Sequence, residues 1–286
     1  MRISPHATSK LQAIGVDTRG RIQYLYHSKF AEAQARKKFS KIERFGEFMP
    51  QLRAATNEHI SLDGFPKEKV LAIMTRLINS LYIRVGTDRS VREYRTYGIT
   101  TLGKRHLMVE RKGKLVFQFV GKSKIAHRKV LVDPELASLV KELASIGRGR
   151  KLFQYIDADE HPHAITPSQV NAYIKSITAP DYSAKDFRTW GATMLAALEL
   201  AEVGVATDEK QIKKNIVRIV RSVSEQLGNT PTVCRASYIH PLILKAYEKG
   251  ITIENFTARR HRRLRRVEAE LEPAEASLLE MFRRLS

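Results

Sequence analysis

Four short segments of this chain set cations beside hydroxyls and glycines. They are YIRVG at 82–86, FVGKSK at 119–124, KDFRTWG at 185–191 and LGNTPTVCRASY at 227–238. Phosphate chemistry suits such a set. Attack on a phosphodiester builds negative charge on the non-bridging oxygens, and cations fixed in place can meet it. Arginine is apt because it is planar, always charged and able to hold two oxygens at once. Two arginines from distant segments, converging on one phosphate, would do the work that metal ions do in nucleases. A tyrosine phenol, with an ordinary pKa of about 10, would be favoured as phenolate by the same cations.

Other chemistries read poorly. Gly121-Lys122-Ser123 looks like the end of a phosphate loop, but the Gly required five residues earlier is Val116, and the intervening VFQFV is strand-like. Nine histidines are scattered, and only His161 and His163 are close, in a Pro-rich loop with no third ligand type at metal spacing. No metal is therefore expected. No Ser/His/Asp pattern and no acidic cluster of a two-metal nuclease stands out. The one cysteine, Cys234, excludes an internal disulfide and a cysteine-based metal site, suits a reducing compartment and reads as a small buried residue.

These segments need a scaffold, and the composition supplies one. Apolar residues make up 43% of 286, which is globular usage, while Lys plus Arg number 50 against 30 Asp plus Glu. A charge of +20 points to a polyanion, most often nucleic acid, with an anionic membrane surface as the rival. No apolar run is long enough to span a bilayer, and the N-terminus lacks a signal peptide.

Residues 11–27 predict a β-hairpin turning at Asp17–Gly20, with Ile22, Tyr24 and Tyr26 on one face. A charged helical stretch over 28–55 is broken by Pro50, and Asp63-Gly64-Phe65-Pro66 opens a strong amphipathic helix through Leu81. Residues 97–133 predict a small antiparallel sheet from ITTL, HLMVE, KLVFQFVG and RKVLVD. Helices are predicted over 134–146, 166–177, 185–202, 207–226, 231–238 and 241–249, with Thr166 and Thr207 as N-caps. A basic run at 259–266 and a helix at 273–285 follow, the run reading as a solvated, DNA-attracted segment.

Together with G-x-D-x-x-G-R-x-Q-Y-x-Y at Gly15–Tyr26, the four segments are collinear over about residues 11–250, and here the sequence resembles the type IB DNA topoisomerases of the poxvirus and bacterial branch. The resemblance implies an α+β fold: a mainly helical catalytic domain with a small antiparallel sheet, shared with tyrosine recombinases, after the remnant hairpin of an N-terminal β domain. It implies domains at 1–27, 28–250 and 251–286, the first being the end of a truncated DNA-clamping domain. The implied activity is ATP- and metal-independent relaxation of supercoiled DNA through a 3′-phosphotyrosyl intermediate, with no cofactor. Tyr238 matches the nucleophile, Arg84 and Arg188 the two catalytic arginines, and Lys122 the general acid. Asn229 falls where poxvirus enzymes carry His. Gln23, Tyr24, Tyr26, Arg21, Lys124 and Lys185 match DNA-binding positions.

Alternatives stay open at several positions. Lys124 could be the acid in place of Lys122, Arg188 could bridge to Asp186, and Tyr24 and Tyr26 could pack on the following helix. Trp190 reads as core. The rival functions are a tyrosine recombinase, although H-x-L-R-H is replaced by Asp186-Phe187-Arg188-Thr189, and a DNA-binding relic without turnover. The partner expected is double-stranded DNA, acted on by a monomer away from membranes, in the cytoplasm, at the nucleoid if the source is bacterial.

Overall fold

The computed structural model describes residues 1–18, 20–146, 149–257 and 270–286. The basic run 259–266 and Arg19 of the hairpin turn lie outside them. The chain divides into two units, Met1–Arg44 and Phe45–Ser286.

In the first unit β1 (Arg2–Ile3), β2 (Leu11–Val16) and β3 (Ile22–Tyr26) form an antiparallel sheet in that order. The hairpin is as expected; β1 is too short to announce itself by alternation. Pairing of Ile14 with Tyr24 and of Val16 with Ile22 sets Ile22, Tyr24 and Tyr26 on one face. Asp17 ties the turn, its carboxylate accepting from the Arg21 amide at 3.0 Å, and Gly20 takes the left-handed φ of +74°. Helix α1 (Ser28–Phe45) follows, and the Tyr26 ring meets Phe30 at 5.4 Å. Tyr26 therefore does touch the following helix, while remaining 47% exposed.

The second unit begins with α2 (Met49–Ile60). Pro50, read as a break, lies in its first turn, where a missing N–H costs nothing. Helix α3 (Lys67–Leu81) starts after Pro66 and buries Val70, Ile73, Met74, Leu77 and Ile78 completely. A seven-residue helix, α4 (Asp88–Tyr94), is capped by Thr87 and buries nothing, so no apolar period betrays it. Residues Ile99–Thr101, expected as strand, form a 3₁₀ turn. The Thr101 hydroxyl accepts from the Gly98 amide at 2.9 Å, a local bond that competes with strand pairing.

The sheet runs β4 (Leu107–Glu110), β5 (Lys114–Val120), β6 (Ala126–Val132), all antiparallel. Helix α5 (Pro134–Ile146) leads to a hairpin, β7 (Gln154–Ile156) and β8 (Pro162–Ala164), in place of the expected loop, with Pro162 as first strand residue. There Asp157, Asp159 and His161 come together, a grouping that histidine spacing did not reveal. The Asp157 carboxylate accepts from the amides of Asp159 and His161 and meets the His163 ring at 2.6 Å.

The remaining helices are α6 (Pro167–Ile177), α7 (Ala184–Val203), α8 (Glu209–Leu227), α9 (Pro231–Ser237), α10 (Pro241–Glu248) and α11 (Pro273–Leu285). Thr166 caps α6 as expected, but Asp208 rather than Thr207 caps α8, accepting from the Gln211 amide at 2.8 Å. Carboxylates are favoured at that positive helix end. The core lies where α3 meets α2, α6 and α7. Trp190 is buried there, its ring against Gly46, where a Cβ would lie 2.2 Å from it. Arg53 and Glu275 join α2 to α11 through bonds of 3.1 and 2.6 Å. Among the described residues no helix is long and apolar enough to cross a membrane.

Candidate active site

Three successive carbonyls at the C-terminal end of α8 each accept from a cation. Gln226 takes Lys129 Nζ, Leu227 takes Arg188 Nη2 at 2.9 Å, and Gly228 takes Arg84 Nη2 at 3.4 Å. A helix end carries partial negative charge and unpaired carbonyls, so it can gather cations that would otherwise repel one another. Arg84 and Arg188, matched in the sequence from segments a hundred residues apart, are thus brought together.

Arg84 follows the left-handed residue Tyr82 (φ 55°), which ends α3. Its backbone is clamped, with the Ile99 amide on the Arg84 carbonyl at 2.8 Å and Gly98 packed so close that a Cβ would sit 2.4 Å from that oxygen. Arg188 lies in the second turn of α7 and is 3% exposed. Its other bond runs from Nη1 to the Tyr82 carbonyl. The Asp186 carboxylate accepts from the Ser183 amide and hydroxyl at 2.8 and 3.0 Å, which caps α7. Among the described residues no carboxylate pairs with Arg84, Arg188 or Lys129. Burial lowers the guanidinium pKa values of Arg84 and Arg188, the second to about 10, where Arg84 adds repulsion. Such a cluster is stable only if dipoles offset it, and it leaves a strong preference for an anion.

Gly228, at φ +62°, ends α8 and turns the chain into Asn229. Arg84 Nη2 donates to Asn229 Oδ1, while Asn229 Nδ2 is buried without a partner among the described residues, as is Arg188 Nε. Thr230 then caps α9, which delivers Tyr238 at its C-terminus. The Arg188 guanidinium lies 5.2 Å from the centre of the Tyr238 ring. Burial pushes the Tyr238 phenol up, but Arg188 and Arg84, with a smaller contribution from exposed Lys185, outweigh it, and the net pKa is below the ordinary value. Cys234, one turn earlier, is fully buried and its thiol is pushed up to about 11 by that burial, as fits a packing residue.

Lys122 opens the tight turn between β5 and β6, where Ser123 and Lys124 both take positive φ. Its side chain is exposed and lines a small cavity together with Arg84, Arg188, His127 and Lys129. Lys124 is exposed two residues further on. Gln23, Tyr24, Tyr26 and Arg21 lie in the N-terminal unit. There Tyr24 and Tyr26 are stacked at 6.3 Å and largely exposed, and Asp17 holds both Arg21 (2.6 Å) and Gln23 (3.1 Å).

Three site residues escaped sequence reading. His127 is clamped: a Cβ on Gly121 would lie 2.5 Å from its ring and one on Gly228 2.1 Å, while Phe119 stacks on it at 5.1 Å. Burial, then Lys129, Arg84 and Arg188, lower its pKa to about 4, so the ring is neutral. Lys129 is its neighbour on the same face of β6. Thr193, fully buried on α7, accepts from the His240 amide at 3.0 Å and lies 3.2 Å from the Tyr238 carbonyl, bracketing the tyrosine backbone. The available signal for the first two was a polar side chain at alternate, inward positions of β6.

The family described as eukaryotic DNA topoisomerase I, catalytic core, matches residues 27–264. DNA topoisomerase 1B of Acanthamoeba polyphaga mimivirus is 29% identical over 249 residues, covering 85% of this chain and 74% of that protein. DNA topoisomerase I of Monkeypox virus is 23% identical over 240 residues, covering 84% and 73%. DNA topoisomerase 1 of Daucus carota is 30% identical over 164 residues, covering 56% of this chain and 19% of that one.

Proposed function

Because this chain belongs to the type IB DNA topoisomerases, the family of the eukaryotic DNA topoisomerase I catalytic core, we propose that Tyr238 is its nucleophile and that Arg84, Arg188, Asn229 and Lys122 complete the site around a DNA phosphodiester. The phenol oxygen of Tyr238 attacks phosphorus and forms a 3′-phosphotyrosyl bond as the bond to the 5′ oxygen breaks. The phenol proton passes to solvent water, helped by the cations that lower the phenol pKa. Lys122, at an exposed hairpin tip, gives its proton to the 5′ alkoxide. Reversal restores the strand, and because the ester conserves the bond no ATP is consumed. Rotation of the free end in between releases supercoils.

The observation that carries this reading is the pair of arginines on successive α8 carbonyls, without a carboxylate among the described residues, beside the Tyr238 ring. Two fixed guanidiniums can hold the non-bridging oxygens as charge grows on them. Asn229 Nδ2, buried and without a partner among the described residues, offers a further donor. Arg21, Gln23, Tyr24, Tyr26, Lys124 and Lys185 are proposed to contact the duplex. All catalytic segments come from one chain, so a monomer suffices.

Trapping the intermediate tests the assignment. Quenching with detergent should leave a DNA–protein adduct with wild type and none with Tyr238→Phe. An adduct through another residue, such as Tyr247, would overturn it.

A further inference from the structure

Lys129 has no part in the mechanism above, yet its geometry ties the mechanism's parts together. It stands on β6 opposite Phe117, in the hairpin whose turn carries Lys122. Its ammonium donates to the Gln226 carbonyl, two residues before the Gly228–Asn229 link. The two segments carrying Lys122 and Asn229 are otherwise distant in the chain. Lys129 also lines the cavity shared by Arg84, Arg188 and Lys122.

Resting on the reading of this site as a transesterification centre, we propose that Lys129 is a positioning residue: its charged ammonium pins the end of α8 to the Lys122 hairpin and adds positive field where Asn229 contributes no charge. A charge-assisted bond is about twice as strong as a neutral one, so the pin weakens when the proton is lost. Burial, then Arg188 and Arg84, lower the Lys129 pKa to about 8. The titratable and charged groups that line its two cavities with it are Arg84, Arg188, Tyr82 and Tyr97 from the core, His127 and Arg128 on its own strand, Lys122 at the turn and Glu225 on α8. His127 is already neutral at pH 6.5 and above. The lowered value of Lys129 lies just above neutrality.

The test is the initial rate of plasmid relaxation by the full chain at sub-saturating plasmid and fixed salt, which reports groups of the free enzyme. It is run from pH 6.5 to 9.5 with wild type, Lys129→Arg and Lys129→Met, and DNA affinity is measured alongside. Wild type should lose rate on the basic side with a midpoint near the lowered value of about 8. Lys129→Arg should remove that falling limb. Lys129→Met should be about ten-fold slower at pH 7, lack the limb, and bind DNA within about two-fold of wild type. A limb that persists in Lys129→Arg, or a Met variant at wild-type rate, overturns the proposal. If the Met variant does not fold, the comparison of wild type with Lys129→Arg still decides. Tyr238→Phe serves as the separate control: relaxation by that variant would sink the underlying reading, whatever Lys129 does.

Discussion

Arg84 donates to the amide oxygen of Asn229, and that one bond fixes which way the amide points. Arginine has no acceptor, so the atom facing it must be the oxygen, and the NH₂ is turned away into the buried site. Asn229 thus becomes a donor of fixed direction.

Substitution at 229 should follow from that direction. Asn229→Asp keeps the bond to Arg84 but presents a carboxylate where phosphate charge accumulates. Covalent adduct should form at least about a hundred-fold more slowly. Asn229→His offers a charge-assisted bond, stronger by about 1 kcal/mol, and should form adduct several-fold faster at pH 6. Equal rates for Asp and Asn would show that the amide does not face the phosphate.

The His127 clamp makes a packing prediction. Gly121 has an ordinary φ of −96°, so Gly121→Ala meets only the clash with the His127 ring. It should cost about 1–3 kcal/mol in urea unfolding. Adding His127→Ala should recover part of that loss, because the ring is the obstacle. Additive losses in the double-mutant cycle would contradict the clamp.

The same ring sets an acid limit. Its folded pKa of about 4 lies below the ordinary 6.5. Between those values the unfolded chain binds the proton more readily, so stability is full above pH 6.5 and declines as pH falls toward 4. The loss is of order 2 kcal/mol after discounting for partial exposure. Unfolding free energies at pH 7 and pH 4.5 should differ by less in His127→Asn than in wild type, and equal differences would remove His127 as the cause.

Thr193 should matter through the tyrosine backbone it brackets. Thr193→Val leaves the His240 amide without its acceptor, costing about 1–3 kcal/mol, and frees the Tyr238 segment. Adduct formation should drop about ten-fold or more, with Thr193→Ser near wild type. A Val variant with unchanged rate would limit Thr193 to stability.

Much of this architecture was legible because its signals are local. Pro66, Pro134 and Thr166 mark helix starts, and the alternation at Ile22, Tyr24 and Tyr26 marks a strand. Tyr238, Arg84 and Arg188, proposed here as nucleophile and catalytic arginines, stood out by motif. What was missed depends on contacts distant in sequence, apart from one local turn. ITTL has strand composition, but the Thr101 hydroxyl captures the Gly98 amide and winds it into a turn. His127 and Lys129 read as ordinary strand polar residues until the end of α8 is laid against them. Thr193 sits mid-helix with nothing in its neighbours to foretell the bond to His240.

Relaxation of negatively and positively supercoiled plasmid in EDTA without ATP, comparing wild type with Tyr238→Phe, decides between this account and its rivals. Wild type alone should relax both forms. If neither protein relaxes plasmid while both bind it, or if Tyr238→Phe relaxes as wild type does, the tyrosine mechanism assigned to this site is wrong.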